Sequence, residues 1–418
     1  MNSEPRQVRS TAELLAAAED GGVQRIIVAA SLAGVPTLRL SPGQVIAGTP
    51  EASIRFAPGE DGLLLSADNG VETLHLATDP DRRALFNDTA MAGLGRMTLS
   101  DLTITGVVRL LAEGEVRSGH IEARGIDIVA ADARGFDDRP KGYGVEVLPG
   151  AFTLWNRQMD PAVTITAELA NLSAGRAGAP VRGSGIFVSG AGEKGGRLIA
   201  SRLETGPVYS DGGIAPGTPD RIAGGVFIVH GAFVDRVRNL GPVTTYGAND
   251  MVLDNWGTVD HWLAEAKITS HGPSGIGFVN FGTINRLDLT APVETFGPGA
   301  RGFNVYAGTV RAAVFERIVT HADGAVGIQI SRPIGEITVC RGIETHGGTG
   351  DSLVKGVVVA LPATPFSVKP GGSVQRLAIT GGLVAHGPGI APLELHGRVE
   401  TLHVTGGLTA RGTAPGPD

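Results

Sequence analysis

The sequence has few of the residues on which several common protein classes depend. Its single cysteine, Cys340, excludes an internal disulfide framework and any cluster of cysteine metal ligands. Charged residues make up only 18% of the chain, no basic run occurs, and the formal net charge is −7. This balance disfavours nucleic acid or an anionic membrane as the main partner.

Long apolar runs are also missing. No stretch approaches the roughly 20 apolar residues that a membrane-spanning helix needs. The polar residues 1–9 lack the apolar segment of about 7–15 residues that marks a secretory signal. We therefore expect a cytoplasmic protein that does not bind a membrane.

Glycine is abundant, with 63 residues in a chain of 418, and a short phrase containing it returns at a fixed interval. The interval is 25 residues through five copies, and the next step is 386 − 346 = 40 residues, one period plus a 15-residue insertion. The corner residues of these copies are Tyr246, His271, Phe296, His321, His346 and His386. A repeat of this length predicts one supersecondary unit stacked many times.

Each period contains three short apolar pieces with alternating polarity, which predicts three strands and no long helix. Such a coil cannot bury its apolar face alone, so equal positions of successive coils stack at the strand spacing of about 4.8 Å. The predicted inward column is Ile228, Leu253, Phe278, Phe303, Ile328, Val357 and Leu393.

The period and its glycine corners resemble the right-handed parallel β-helix superfamily, which includes pectate lyases, polygalacturonases and inulin fructotransferases. The resemblance is clear over about residues 225–412 and carries no catalytic motif to this chain. It implies an all-β fold, a single right-handed parallel β-helix with about 25 residues and three short strands per coil. The superfamily also includes many adhesins and phage tailspikes, and several of its members form trimers, so the resemblance also implies association as a homotrimer.

The predicted organisation is a cap at residues 1–24 followed by the β-helix at 25–418. Ser10 and Glu13 have the spacing of a capping box, so a short helix is expected to cover the first coil. Long loops are expected at about 79–96, 131–143, 149–162, 206–224 and 361–373.

Most of these insertions lie before or after the first strand of a coil. They are therefore expected to form two walls beside the outer face of that strand, in a groove over residues 140–260 that suits a chain-like ligand. Carboxylates beside exposed aromatic rings are typical of sugar recognition and glycosidic chemistry. The candidate catalytic residues are Glu146, Asp211 and Asp254. The candidate substrate-binding residues are Asp137, Asp138, Arg139, Lys141, Tyr143, Trp155, Arg157, Phe187, Tyr209, Arg221 and Phe227.

The wall charges nearly balance, which favours a neutral oligo- or polysaccharide, and hence a glycoside hydrolase or an intramolecular transglycosylase. A non-catalytic glycan-binding or assembly β-helix is the alternative, and a polysaccharide lyase, which needs excess cations, ranks third. No cofactor and no metal are expected. His271 and His321 share a column but lie two coils apart, roughly 10 Å at the strand spacing, with Phe296 between them.

Overall fold

A computed structural model describes residues 4–354 and 356–412 of the chain. The described residues contain one helix, Thr11–Glu19, and are otherwise built from strands that pair mainly in parallel between coils. This arrangement confirms the predicted all-β parallel β-helix. The chain divides into two compact units. The first comprises residues up to Asp137, Pro149–Pro207 and Val229–Val234, and the second comprises Asp138–Leu148, Val208–Ile228 and the residues from Asp235 onward.

The first unit begins with the predicted helix. The Ser10 side chain accepts a hydrogen bond from the backbone N–H of Glu13 at 3.3 Å, and the Glu13 carboxylate accepts one from Arg9 N at 2.6 Å. Leu14, Ala17 and Ala18 are buried. The strands of this unit are Arg6–Val8, Arg25–Val28, Ser31–Val35, Leu38–Arg39, Val45–Gly48, Ser53–Phe56, Leu63–Leu65, Gly70–Ala77, Arg83–Asn87, Arg96–Thr105, Val107–Ala112, Ser118–Ala130, Gly150–Asn156, Thr164–Ala174, Val181–Arg182 and Ser184–Ser189.

Coil length varies in the first unit. Leu63 pairs with Leu85, a step of 22 residues, whereas Val108 pairs with Phe152, a step of 44. The longer step contains residues 131–148, which we call the irregular region and which include the loop expected at 131–143. The chain passes from the first unit to the second within two strands. These are Arg197–Asp211, where the boundary follows Pro207, and Ala232–Asn239, where it follows Val234.

The second unit contains the regular repeat. Its strands are Lys141–Gly142, Val145–Val147, Arg221–Ile228, Val243–Thr245, Asp250–Asn255, Thr258–Ala264, Ile268–Ser270, Ile276–Asn280, Thr283–Leu289, Val293–Thr295, Arg301–Val305, Thr309–Phe315, Ile318–Thr320, Val326–Ile330, Pro333–Val339, Ile343–Thr345, Thr349–Val354, Val357–Pro362, Phe366–Val368, Ser373–Ile379, Leu383–Pro388, Leu393–Leu395, Arg398–Val404 and Leu408–Gly412.

The backbone register reproduces the sequence period. Val226 pairs with Leu253, whereas Ile228 pairs with Asn255, so the column residue expected at Ile228 is corrected to Val226. Leu253, Phe278, Phe303 and Ile328 pair in succession, each 25 residues after the last. Their side chains are fully buried, and the Phe278 and Phe303 ring centroids lie 5.9 Å apart. Beside them, Asn255 Nδ2 donates a hydrogen bond to Asn280 Oδ1 at 2.8 Å, so one internal polar ladder crosses from coil to coil.

The 15-residue insertion forms an antiparallel hairpin, Thr349–Val354 with Val357–Pro362. The column residue expected at Val357 is therefore corrected. Val357 is 60% exposed, and Phe366 takes the inward position between Ile328 and Leu393. The valine run looked like a core strand because β-branched residues suit an exposed hairpin strand equally well.

Three expected loops also contain core strands. The strand Arg83–Asn87 lies within 79–96, Gly150–Asn156 within 149–162, and Phe366–Val368 within 361–373. Glycine, proline and charged residues around these short apolar pieces concealed them. The one described helix has nine residues, and no described helix is long and apolar enough to cross a membrane.

Candidate functional site

The outer face of the first strand in each regular coil is covered, although an open groove was expected there. Phe227, Asp254, Val279 and Asn304 occupy successive outward positions in register, and all four are 0% exposed. A small hairpin from the irregular region accounts for part of this cover. Its strand Val145–Val147 pairs in parallel with the strand Arg221–Ile228, with Glu146 opposite Arg221.

The hairpin turn carries an exposed aromatic side chain. Lys141 pairs with Glu146 and Gly142 with Val145, so Tyr143 and Gly144 form a two-residue loop. Both have positive φ, 52° and 86°, as the turns favoured in tight hairpins require. Glycine tolerates that conformation, but a bulky aromatic residue is strained in it. The fold therefore holds Tyr143 at a position that Asn or Gly would occupy with less strain.

A pocket lies where this turn meets the regular coils of the second unit. Its volume is about 60 Å³, enough to hold ordered water. Most of its wall is apolar. The lining residues are Tyr143, Val145, Pro219, Arg221, Ile222, Asn249, Met251, Asp254, Ser274, Ile276, Val279, Phe281, Tyr306, Leu353 and Gly356.

Aromatic rings form one side of this pocket, which we call the Asp254 pocket. Trp256, Phe281 and Tyr306 follow one another at 25-residue intervals, with centroid distances of 5.8 Å and 5.4 Å between successive rings. Tyr143 stacks on Phe281 at 4.4 Å and meets Trp256 edge-on at 5.1 Å. Phe227, expected to be exposed, is instead fully buried with its ring 5.4 Å from Trp256.

Asp254 is the one carboxyl group among the described residues that line the pocket. Its side chain is fully buried, and neither carboxyl oxygen has a hydrogen-bond partner of good geometry among the described residues. Burial raises the pKa of the Asp254 carboxyl well above its usual value, because desolvation disfavours the charged form. The Trp256 side chain and the Asn255 backbone N–H lower this pKa but offset the effect of burial only in part. Asp254 is therefore a neutral acid over a wider pH range than an ordinary aspartate.

Glu146 has the opposite environment. Lys141 Nζ lies 2.6 Å from Glu146 Oε1, and Arg139 Nη1 lies 3.8 Å from Oε2. The hydrogen bond from Lys141 lowers the pKa of Glu146, with further help from the charges of Lys141, Arg139 and Arg221 and partial opposition from desolvation. Glu146 is thus held as an anion, and it is not among the residues that line the pocket.

Asp211 is placed elsewhere in the second unit. It ends the strand Arg197–Asp211, and its Oδ1 accepts a hydrogen bond from Gly213 N at 2.7 Å. Its carboxylate faces Gly247, close to the buried Asp250. Asp138 and Tyr209 are half-buried in the same unit, and neither they nor Asp211 line the pocket. The structure therefore does not bring the three predicted catalytic carboxylates together in the pocket.

The remaining predicted residues belong to the first unit, and most of them have structural contacts. Trp155 is 8% exposed and donates from Nε1 to Gly190 O at 3.0 Å, and Phe187 is fully buried against it. Arg157 pairs with Glu113 and lies over the Trp155 ring. Asp137 is exposed. The predicted stacking surfaces of Trp155 and Phe187 are thus corrected, because both rings fill the interior of the first unit.

No protein-family model, curated protein or solved structure gives a significant match to this chain.

The sequence interpretation missed most of the pocket wall, although one signal was available. Trp256, Phe281 and Tyr306 form an aromatic column in the same 25-residue frame as the corner column. Each follows a strand of the column that contains Asp254, so the frame could have placed them beside it. Leu353 carried no such signal, because it lies on the inserted hairpin.

Proposed function

We propose that the second unit is a carbohydrate-active module that binds part of a neutral saccharide in the Asp254 pocket. The observation that carries the proposal is a fully buried Asp254 carboxyl group, without a hydrogen-bond partner among the described residues, beside an aromatic wall. Aromatic faces pack against the apolar faces of sugar rings, and a neutral carboxyl group donates a hydrogen bond to an oxygen. The pocket size suits one ring edge or substituent, with the rest of the saccharide outside.

Charge supports a neutral ligand. Arg221 is the one cationic side chain among the described lining residues, and it lies beside Glu146, whose pKa it helps to lower. Its charge is thereby partly compensated within the protein. A polyuronate lyase needs uncompensated cations to stabilise an enolate, and the described residues of this pocket provide little uncompensated positive charge.

The catalytic form of the proposal uses Asp254 as general acid. Its proton passes to the glycosidic oxygen as the bond to the anomeric carbon breaks, and water or a sugar hydroxyl forms the new bond at that carbon while a second carboxylate accepts its proton. The second group required is a carboxylate that remains ionised, and Glu146 has that property. Environments that move two carboxyl pKa values apart are typical of an acid and its partner. Because Asp254 is fully buried, a ligand has to displace part of the pocket wall to reach it.

One observation favours binding without turnover as a second candidate. Asp254 is the one carboxyl group that lines the pocket among the described residues, whereas glycosidases usually place two about 5–10 Å apart across the scissile bond. A non-catalytic module would use Asp254 as a hydrogen-bond donor and the aromatic wall as a stacking surface.

A panel of neutral glycans and polyuronates tests both forms. Binding is measured by calorimetry, hydrolysis by reducing ends, transglycosylation by chromatography and lyase action by the absorbance of unsaturated products. Asp254→Asn and Glu146→Gln are compared with Asp260→Asn, an exposed acid on a neighbouring strand. Turnover of a neutral glycan that both variants lose supports the enzyme, and binding alone that Asp254→Asn weakens supports the binding module. Unsaturated products, or wild-type behaviour in both variants, would overturn the proposal.

A further inference from the structure

The corner column of the second unit ends in two adjacent histidines. Ile343–Thr345 pairs in parallel with Leu383–Pro388, with Thr345 opposite Ala385. This register places His346 and His386 on neighbouring coils although the inserted hairpin separates them in sequence. Their imidazole rings stack at 4.3 Å and lie within 8° of parallel. The expectation of no metal rested on the separation of His271 and His321 by Phe296, and that separation does not apply to His346 and His386 in the same column.

A carboxylate lies beside both rings. Glu344 Oε2 is 3.9 Å from Nε2 of His346 and 3.9 Å from Nε2 of His386. One ligand atom from each of the three residues lies within 4.8 Å of the other two. A tetrahedral zinc ion with bonds of about 2.1 Å holds its ligand atoms about 3.4 Å apart, so a modest contraction converts this triangle into a coordination site.

The hydrogen bonding of these residues leaves ligand atoms directed at one another. His386 Nε2 is buried and has no hydrogen-bond partner among the described residues. Arg317 Nη2 lies 2.9 Å from Glu344 Oε1, which orients the carboxylate with Oε2 toward the histidines. Such outer contacts are how proteins fix metal-binding carboxylates. Elsewhere in the column, His321 Nε2 is already engaged by Glu294 Oε1 at 2.7 Å.

The cluster can be reached from solvent. The three side chains keep between 24% and 39% of their surface exposed, so an ion has a route in and a coordination position remains for water.

We propose that Glu344, His346 and His386 bind one divalent transition-metal ion, with zinc as the best match. Two imidazoles and one carboxylate are a zinc ligand set, whereas calcium and magnesium prefer oxygen ligands alone. Because the stacked rings are parallel, each must turn about its Cβ–Cγ bond so that both Nε2 lone pairs converge on the ion. The site does not depend on the Asp254 pocket.

Metal titration of the full chain after chelator treatment tests the proposal. We expect one equivalent of Zn²⁺ in calorimetry, and a tetrahedral absorption spectrum with Co²⁺. His386→Phe is the sharpest variant, because Phe296 already occupies an equivalent place in the stack, so the ring contact is kept and the ligand is lost. Loss of an outer contact typically weakens metal binding about 10–100-fold, so loss of this direct ligand, or Glu344→Gln, is expected to weaken it at least as much.

His271→Phe is the matched control, because His271 lies between Tyr246 and Phe296 in the same stack. It is expected to bind Zn²⁺ like the wild type. Thermal unfolding of the metal-free variants checks that the stack survives. No stoichiometric binding by the wild type, or equal affinity in His386→Phe and the wild type, would overturn the proposed site.

Discussion

Tyr143 stacks on Phe281 with ring centroids 4.4 Å apart, although 138 positions separate them in the chain. The Tyr143 hydroxyl donates a hydrogen bond to the backbone oxygen of Phe281 at 3.3 Å. This contact joins the irregular hairpin to the regular coils and forms one side of the Asp254 pocket. Tyr143 combines a positive φ with a ring that is 42% exposed, and under the proposed function the side chain serves ligand binding more than folding.

Tyr143→Asn separates these two roles. Asparagine relieves a backbone strain of about 1 kcal/mol or more, while the lost ring contact costs a similar amount, about 0.5–1.5 kcal/mol. We therefore expect the free energy of unfolding to change little and saccharide affinity to fall about tenfold, the equivalent of 1.4 kcal/mol. Urea denaturation and calorimetry measure the two quantities. Phe233→Ala, an exposed aromatic of the first unit, is the control. A large loss of stability with unchanged affinity would show that Tyr143 is structural.

Asp254→Asn is expected to change how stability depends on pH. The folded pKa of Asp254 is raised above its unfolded value near 3.9. The contribution of Asp254 to the free energy of unfolding is therefore fully present below about pH 4 and is lost as pH rises toward the folded pKa. It is lost because, in that pH window, the unfolded chain releases the proton and the folded chain keeps it. Between pH 4 and 9, the melting temperature of Asp254→Asn is expected to rise relative to that of the wild type as pH increases. A constant difference would contradict the raised pKa.

Arg301→Met tests a buried cation near the inserted hairpin. Arg301 is fully buried, Nη2 donates to Ser352 Oγ at 2.7 Å, and Nε and Nη1 have no partner among the described residues. Desolvation without a compensating carboxylate is costly, so methionine is expected to be neutral or stabilising by about 1–4 kcal/mol. Urea denaturation measures the change, and Arg311→Met at an exposed position serves as control. Destabilisation by more than about 2 kcal/mol would instead indicate an ionic partner for Arg301.

Glu394→Gln is expected to reduce acid sensitivity at the C-terminal coils. Burial raises the pKa of Glu394, but hydrogen bonds from Lys369, Ser367 and His396 outweigh it and bring the pKa to about 2. Because the pKa of Glu394 is lower in the folded chain than in the unfolded chain, its contribution to the free energy of unfolding is present above about pH 4.5. That contribution is lost as pH falls toward 2. The stability difference between wild type and variant should shrink over that window. A difference that stays constant with pH would contradict this.

Much of the regular fold could be predicted, because equal positions in a stacked coil share one environment. Leu253, Phe278 and Phe303 follow the 25-residue frame for that reason, and the structure confirms their register. The frame failed at the hairpin, where Val357 looked apolar enough for the core but is exposed. Periodicity reports which residues repeat and carries no information about an insertion that folds outside the coil.

The candidate site was less predictable. The sequence predicts Asp254, Tyr143 and Arg221 as candidate site residues, and all three line one pocket. The burial of Phe227 could not be foreseen, since its ring packs against Trp256, which lies after the strand of the next coil. The pKa of Asp254 likewise follows from that burial and from nothing in its sequence neighbours.

The most direct test of the central claim is a crystal structure of the protein with the tightest-binding neutral saccharide from the panel. The account predicts a sugar ring packed against Phe281 and Tyr306, with an oxygen within about 2.6–3.2 Å of the Asp254 carboxyl group. A saccharide bound away from these residues, or an empty Asp254 pocket at a saturating concentration, would contradict it.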